Sequence, residues 1–237
     1  MNSRAQKEFW NEEYSKPQHI TMSEEASEDL IKFTRWAERN IDPVGQITPL
    51  KPNRLVLDIG CGNGRNLVYL SQKYRMKGHG VDISEVAISQ ARKLSDGLPI
   101  TYEVGDISTK LPVPDESVDF LLDMMTSHFL RSAEREALKK EILRVLKPGG
   151  WFFLKTFLAD EDLHTERLLS EVPADEAGAY IHPRLGVYEY VWKEADLREF
   201  FSTDFIIHKV DRSHKHILGG RAFKRRTISV YLERNWK

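Results

Sequence analysis

A single cysteine, Cys61, in 237 residues excludes an intrachain disulfide and any zinc site built on paired cysteines. No other metal-ligand pattern stands out; the His-Lys-His stretch at 214–216 lacks further ligands, and no metal is expected. Cysteine scarcity favours a reducing compartment. No apolar run is long enough to cross a bilayer, and the N-terminus MNSRAQKEFWNEEYSK has no signal-peptide core. A soluble, cytoplasmic protein without membrane partners is the expectation. Charge of one sign is missing too: 35 lysines and arginines meet 36 aspartates and glutamates, for a formal −1. Any attraction to nucleic acid must therefore be local. There is no internal repeat and no low-complexity tract. A chain of this length can bury a full core as one domain, residues 1–237.

Residues 4–40 read as helical and, with the next few, form an N-terminal cap over 1–45. SEEASEDLIKFTRWAERN starts with capping residues and carries Leu30, Phe33 and Ala37 at helical spacing, with Ile31 and Trp36 widening the face. DPVGQITPLKPN breaks the pattern. From Arg54 strands and helices alternate: RLVLDI, GHGVDI, ITYEVGDI, VDFLLDMM and WFFLKTFL as strands, with RNLVYLSQKYR, SEVAISQARKL and AEREALKKEILRVL as helices. The glycines of KPGG are read as the turn from the last of these helices into the fifth strand. This alternation predicts an α/β fold, a doubly wound, mostly parallel sheet with helices on both faces. After the helix KEADLREFF, DFIIHKV and RRTISVYLER follow with no helix between them. An antiparallel pair at the sheet edge is expected there.

LVLDIGCGNG places Gly60, Gly62 and Gly64 at the first strand-to-helix turn, where open α/β sheets bind ligands. A dinucleotide fingerprint would want glycine at 65, where the chain has Arg65. Asp58 beside the turn would repel a pyrophosphate but suits an ammonium group, and the helix N-terminus near Asn66 can receive a carboxylate. Asp82, ending the second strand, is placed to accept hydrogen bonds from both hydroxyls of a ribose. Asp106 with Ile107, after the third, suits the amine and face of an adenine. Ammonium, carboxylate, ribose and adenine together describe S-adenosyl-L-methionine.

The ordered set VLDIGCGNG, GVDIS, GDI, VDFLLD and VLKPGGWFFL resembles the class I S-adenosylmethionine-dependent methyltransferases over residues 54–234. The resemblance implies a Rossmann-like seven-stranded sheet with the last strand antiparallel. Carried over by position, it implies that Asp58, Gly60 and Gly62 line the methionine end and that Asp82 and Ile83 hold the ribose. Asp106 and Ile107 would meet the adenine, and Asp123 would lie near the methionine portion and the acceptor. Asn66 and Cys61 complete the cofactor set, although Cys61, with no neighbouring base, is otherwise a small inert filler.

MMTSHFL, after the fourth strand, matches no acceptor-defining motif. His128 within it is the candidate general base, against a plain packing role. Phe9, Trp10 and Tyr14 form either a lid or a packing cluster. The long connection 159–192 predicts a cap insertion, with Tyr180, His182, Arg184 and Tyr188, together with Tyr14, as acceptor contacts. Residues 208–226 are basic, through Lys209, Arg212, Lys215, Arg221, Lys224, Arg225 and Arg226. The leading expectation is a small-molecule acceptor. The alternatives are an RNA or protein acceptor held by this basic hairpin, a noncatalytic cofactor-binding regulatory module, and, more weakly, a nicotinamide dehydrogenase.

Overall fold

A computed structural model describes residues 3–19, 22–40, 49–215, 217–222 and 224–236. Most of the break expected at 42–53 and His216 of the basic stretch lie outside them. The chain opens with two helices, α1 (Ser3–Ser15) and α2 (Glu28–Arg39). It then alternates: β1 (Leu55–Ile59), α3 (Arg65–Tyr74), β2 (Lys77–Asp82), α4 (Glu85–Leu94), β3 (Ile100–Val104), β4 (Val118–Met124), a 3-10 turn (Ser127–Phe129), α5 (Ser132–Val145) and β5 (Leu146–Phe157). The connection after β5 holds α6 (Leu163–Glu171) and a small hairpin of β6 (Ala179–Ile181) and β7 (Tyr188–Tyr190). Then come α7 (Glu194–Ser202), β8 (Phe205–Arg212), a second small hairpin of β9 (Ile217–Leu218) and β10 (Arg221–Ala222), and β11 (Thr227–Arg234).

Seven strands form the main sheet in the order β3-β2-β1-β4-β5-β11-β8. β1 pairs in parallel with both β2 and β4, so the order reverses at β1 and opens a crevice beyond its carboxyl end. β11 is antiparallel to both neighbours, β5 and β8. The antiparallel pair expected at the edge is present, but β11 lies inside the sheet and β8 forms the rim. The fold is a Rossmann-like doubly wound sheet, mostly parallel.

Side chains alternate along each strand, so the sheet has two apolar faces. Val56 joins Leu67, Leu70, Ile88 and Ala91 of α3 and α4 on one face. Leu57 and Ile59 join Leu138, Ile142, Leu197 and Phe201 of α5 and α7 on the other. Leu30, Phe33 and Ala37 bring α2 onto the first face. Phe33 is fully buried there, stacked on Phe120 at 5.0 Å and Phe153 at 5.2 Å and edge-on to Tyr231 at 4.9 Å. Burying a phenylalanine of this kind stabilises by about 1.5–3 kcal/mol.

Two local readings differ from the structure. α2 begins at Glu28 rather than near Ser23, and the Ser27 side chain makes no capping bond. Asn66 accepts the Ser27 backbone N–H instead, at 3.1 Å. KPGG lies within β5 rather than before it. Leu146 pairs with Val118 and Trp151 with Phe120, so the intervening residues bulge out of the ladder, with Gly149 at φ +71°.

Candidate functional site

The crevice at the β1 switch point deepens into a cavity of about 540 Å³. Its sheet side is built by the glycine turn. Gly60 and Cys61 both donate to Val81 O, at 2.7 and 3.0 Å, which folds the turn over the end of β2. Gly60 and Gly62 take φ of +72° and +55°, values that favour glycine. Space demands glycine as well: a methyl on Gly60 would strike the Thr126 side chain, and one on Gly62 the Tyr14 hydroxyl.

Asp82 organises the next strand end. One oxygen accepts the Gly62 N–H and the other the Ser84 N–H, each at 2.9 Å. Ser84 caps α4 by accepting from Ala87 N, and its hydroxyl also donates to Asn11 of α1 at 2.8 Å. With Gln90 donating to Tyr14 O and Lys7 paired to Glu85, α1 is laid along α4. This placement brings Trp10 and Tyr14 onto the cavity wall. Phe9 meets Trp10 edge-on at 5.0 Å and does not line the cavity.

Asp58 is 1% exposed, and neither carboxylate oxygen has a hydrogen-bond partner. Burial, together with Asp123 and Asp82 nearby, pushes its carboxyl well above the usual range. Burial also raises Asp82. Asp123 is pushed up to about 6 by burial, despite accepting N–H bonds from Thr126 and Ser127 at 3.1 Å each. Three buried acids around one turn, each shifted by burial toward its neutral form, hold charge that a cationic ligand would draw out. A carboxylate left without a partner is costly unless a ligand supplies one.

Asp123 also holds the turn that carries His128. Just before that turn, Met125 is forced to φ +69°, a conformation rarely adopted without constraint. His128 is 2% exposed, its ring 3.9 Å from that of Phe129 and 4.9 Å from that of Phe157. Nδ1 has no partner. Burial pushes the imidazole down to about 4, and Arg225 adds to the fall while Glu189 opposes it.

The wall opposite the sheet comes from the connection after β5. Glu189 of β7, almost fully buried, accepts from Tyr180 Oη at 2.6 Å and from Arg225. The Arg225 guanidinium lies 3.4 Å above the centre of the Phe157 ring. Glu189, Arg225 and Phe157 all line the cavity beside His128.

Of the residues singled out from sequence, Gly60, Asp82, Ile83, Asp106, Ile107, His128, Tyr14, His182 and Arg184 line this one cavity. Asp58, Cys61, Gly62, Asn66 and Asp123 do not line it; Gly62 is tied to it by donating to Asp82, Asp123 by accepting from Thr126 N–H, and Asp58 lies near both acids, while Asn66 accepts the Ser27 N–H. Cys61 packs in the core, and burial pushes its thiol up. Tyr180 does not line the cavity; it meets two residues that do, donating to Glu189 and accepting from Arg225. Tyr188 faces away, donating to Glu176 at 2.5 Å beneath the Arg131 guanidinium. Glu189, Met124, Met125 and Leu185 were not legible as site residues, nor was Arg225 outside its basic run. An acid flanked by two tyrosines in a short strand was the one available hint.

Of the seven basic side chains singled out in 208–226, five are already paired within the molecule. Lys209 meets Asp211, Arg212 meets Glu194, Lys215 and Arg226 meet Glu161, and Arg225 meets Glu189. No helix among the described residues is long and apolar enough to cross a membrane. Among those same residues no group of three or more His, Cys, Asp or Glu could hold a metal ion.

A family model described as a methyltransferase domain matches residues 56–150. Over 163 residues the chain is 29% identical to phosphoethanolamine N-methyltransferase 1 of Arabidopsis thaliana, an alignment covering 65% of this chain and 31% of that protein. It is 30% identical over 120 residues to a fatty-acid O-methyltransferase of Mycolicibacterium smegmatis, covering 50% of this chain and 43% of that one. The aligned parts thus span less than half the length of either relative. Among solved structures, a SAM-dependent methyltransferase of Methanosarcina mazei superposes with a TM-score of 0.66 at 24% identity, over 79% of this chain and 95% of that one. Strand order and glycine turn agree with the match: residues 56–150 carry a methyltransferase domain, set in a sheet similar to that of S-adenosylmethionine-dependent methyltransferases.

Proposed function

We propose that this protein transfers a methyl group from S-adenosyl-L-methionine to a small-molecule nucleophile held beside His128. The observation that carries the reading is one continuous cavity with two chemically different ends. At the sheet end lie Gly60, Asp82, Asp106 and Ile107, with the buried Asp58 near Asp82 and Asp123; at the other lie His128, Phe157, Glu189 and Arg225.

The residues present fit the cofactor. Asp58, buried and without a partner, is the natural counter-charge for the ammonium group. Each Asp82 oxygen accepts one backbone N–H and keeps lone pairs for ribose hydroxyls. Ile83 and Ile107 offer apolar contacts to the ribose and the adenine. When bound, the cofactor supplies a methyl on a sulfonium, so alignment and exclusion of water are the protein's main tasks. Trp10 and Tyr14 of α1 supply the exclusion. His128, kept neutral by burial, is placed to take a proton from a hydroxyl, thiol or ammonium acceptor.

A small acceptor is favoured over RNA because the basic stretch 208–226 is largely consumed by internal pairs, leaving little charge to neutralise phosphates. Turnover of methyl-labelled S-adenosylmethionine with a metabolite extract, paired with calorimetry against S-adenosylhomocysteine and NAD, tests the reading. Labelled low-molecular-weight product and binding of S-adenosylhomocysteine alone are expected. Tight S-adenosylhomocysteine binding with no product from any extract would make the protein a noncatalytic module. Binding of NAD instead would overturn the cofactor assignment.

A further inference from the structure

We infer that His182 and Arg184 form an oxyanion-binding site on the cavity wall, which grips a carboxylate or phosphate carried by the methyl acceptor. This rests on the reading above that the other end of the cavity takes the methyl donor.

The site is a short turn that carries two donors on the cavity lining, the His182 ring and the Arg184 guanidinium. His182 donates its backbone N–H to Val187 O and receives that of Gly186 at its own carbonyl, both at 2.8 Å, which closes His182–Val187 into a compact loop. Within it His182 Nδ1 accepts the backbone N–H groups of Arg184 and Leu185, at 3.3 and 3.2 Å. An imidazole nitrogen that accepts carries no proton, so the ring proton sits on Nε2 and His182 keeps a single donor. Burial, offset in part by Glu189, holds the ring toward its neutral form. Among the described residues neither Nε2 of His182 nor the Arg184 guanidinium has a protein acceptor. Several other described arginines are spoken for, among them Arg54, Arg131, Arg135, Arg144 and Arg226, which each meet a carboxylate.

The surroundings select the sign of the ligand. Glu189, the acid on this side of the cavity, has its charge taken up by Arg225 and Tyr180. Asp82 and Asp106 belong to the strand ends that serve the donor. Leu185, on the same turn as Arg184, also lines the cavity, giving an apolar contact beside the donors. A planar guanidinium that can grip two oxygens at once, with a neighbouring N–H, matches a carboxylate or phosphate better than a neutral group. An anionic acceptor also complements the positive charge of the sulfonium.

The test is competition among matched compounds on the full chain saturated with S-adenosylhomocysteine. Sets of three share one aromatic scaffold bearing a carboxylate, a phosphate monoester or a neutral carboxamide, and binding is read by saturation-transfer NMR and calorimetry. Oxyanion members are expected to bind at least tenfold tighter than their carboxamides. That margin should vanish in Arg184→Gln and partly return in Arg184→Lys, with S-adenosylhomocysteine affinity unchanged in both. Arg184 is exposed, so these variants fold. Which oxyanion prevails across scaffolds separates a carboxylate from a phosphate acceptor. Equal binding of the carboxamides, absence of binding in every set, or an oxyanion margin that survives Arg184→Gln would overturn the proposal. If S-adenosylhomocysteine itself fails to bind, the donor reading falls, and the same competition on the free protein still decides this site.

Discussion

The two ends of the cavity are made in different ways. The end proposed for the donor comes from the turns that follow successive strands, each carrying a short acid or a glycine, and every piece lies within about fifty residues of the next. The end proposed for the acceptor is assembled from α1, the turn after β4, the end of β5, the β6–β7 hairpin and Arg225, which meets Glu189 across 36 positions. The first is a motif repeated on a scaffold; the second is a contact surface that exists only once the chain has folded. A cofactor shared by a family needs the first, and acceptor choice is free to vary with the second.

The sharpest way to break this division is Glu189→Ala. It leaves the Arg225 charge buried without its carboxylate, which is expected to cost about 3–5 kcal/mol. Chemical denaturation should show the loss, and S-adenosylhomocysteine affinity measured below the new midpoint should not change. A parallel loss of cofactor affinity would mean that the two ends are one unit.

Asp58→Asn acts at the donor end. Losing the counter-charge should weaken S-adenosylhomocysteine binding by about 2 kcal/mol, roughly thirtyfold, with no drop in unfolding temperature. The wild type should also release protons on binding. Its Asp58 carboxyl is raised in the free protein and ionises when a cation arrives. Calorimetry in two buffers of different ionisation enthalpy measures this release, and its disappearance in Asp58→Asn assigns it.

Trp10→Ala removes the edge contact with Phe129 at 5.3 Å, worth about 1 kcal/mol. A several-fold faster release of S-adenosylhomocysteine is expected in stopped-flow fluorescence, with little change in global stability.

The smallest effect sharpens rather than breaks the comparison. Burial favours neutral His128, with a folded value near 4 against an ordinary 6.5. A base must be neutral, so its contribution to kcat/KM should persist through pH 5–8 and fall only as pH drops through about 4. Asp123, at about 6, titrates between. His128→Gln should therefore abolish the lower limb of the profile and spare any limb near 6.

The same division explains what was readable before folding. The sheet and its antiparallel pair were legible from alternation and from two strands lacking a helix between them. That β11 would sit inside β8 was not, because no local pattern records which neighbour a strand chooses. Asp82 and Asp106 were legible from their places after strands. Glu189 was not: a buried acid looks like a solvated one until its partner, remote in sequence, is known. Tyr188 and Tyr180 stand two residues or fewer from Glu189 along the β6–β7 pairing, yet strand alternation turns Tyr188 away.

The place of β11 also bears on how the chain is made. While residues 205–212 leave the ribosome, β8 has no neighbour to pair with, since its place in the sheet is reached only through 227–234. Until those residues emerge, β5 presents an open edge, the kind of surface on which nascent chains associate wrongly. Premature termination anywhere between β8 and β11 would therefore yield a product carrying the whole glycine turn and its neighbouring strand ends on an uncovered sheet, fit for the proteolytic machinery.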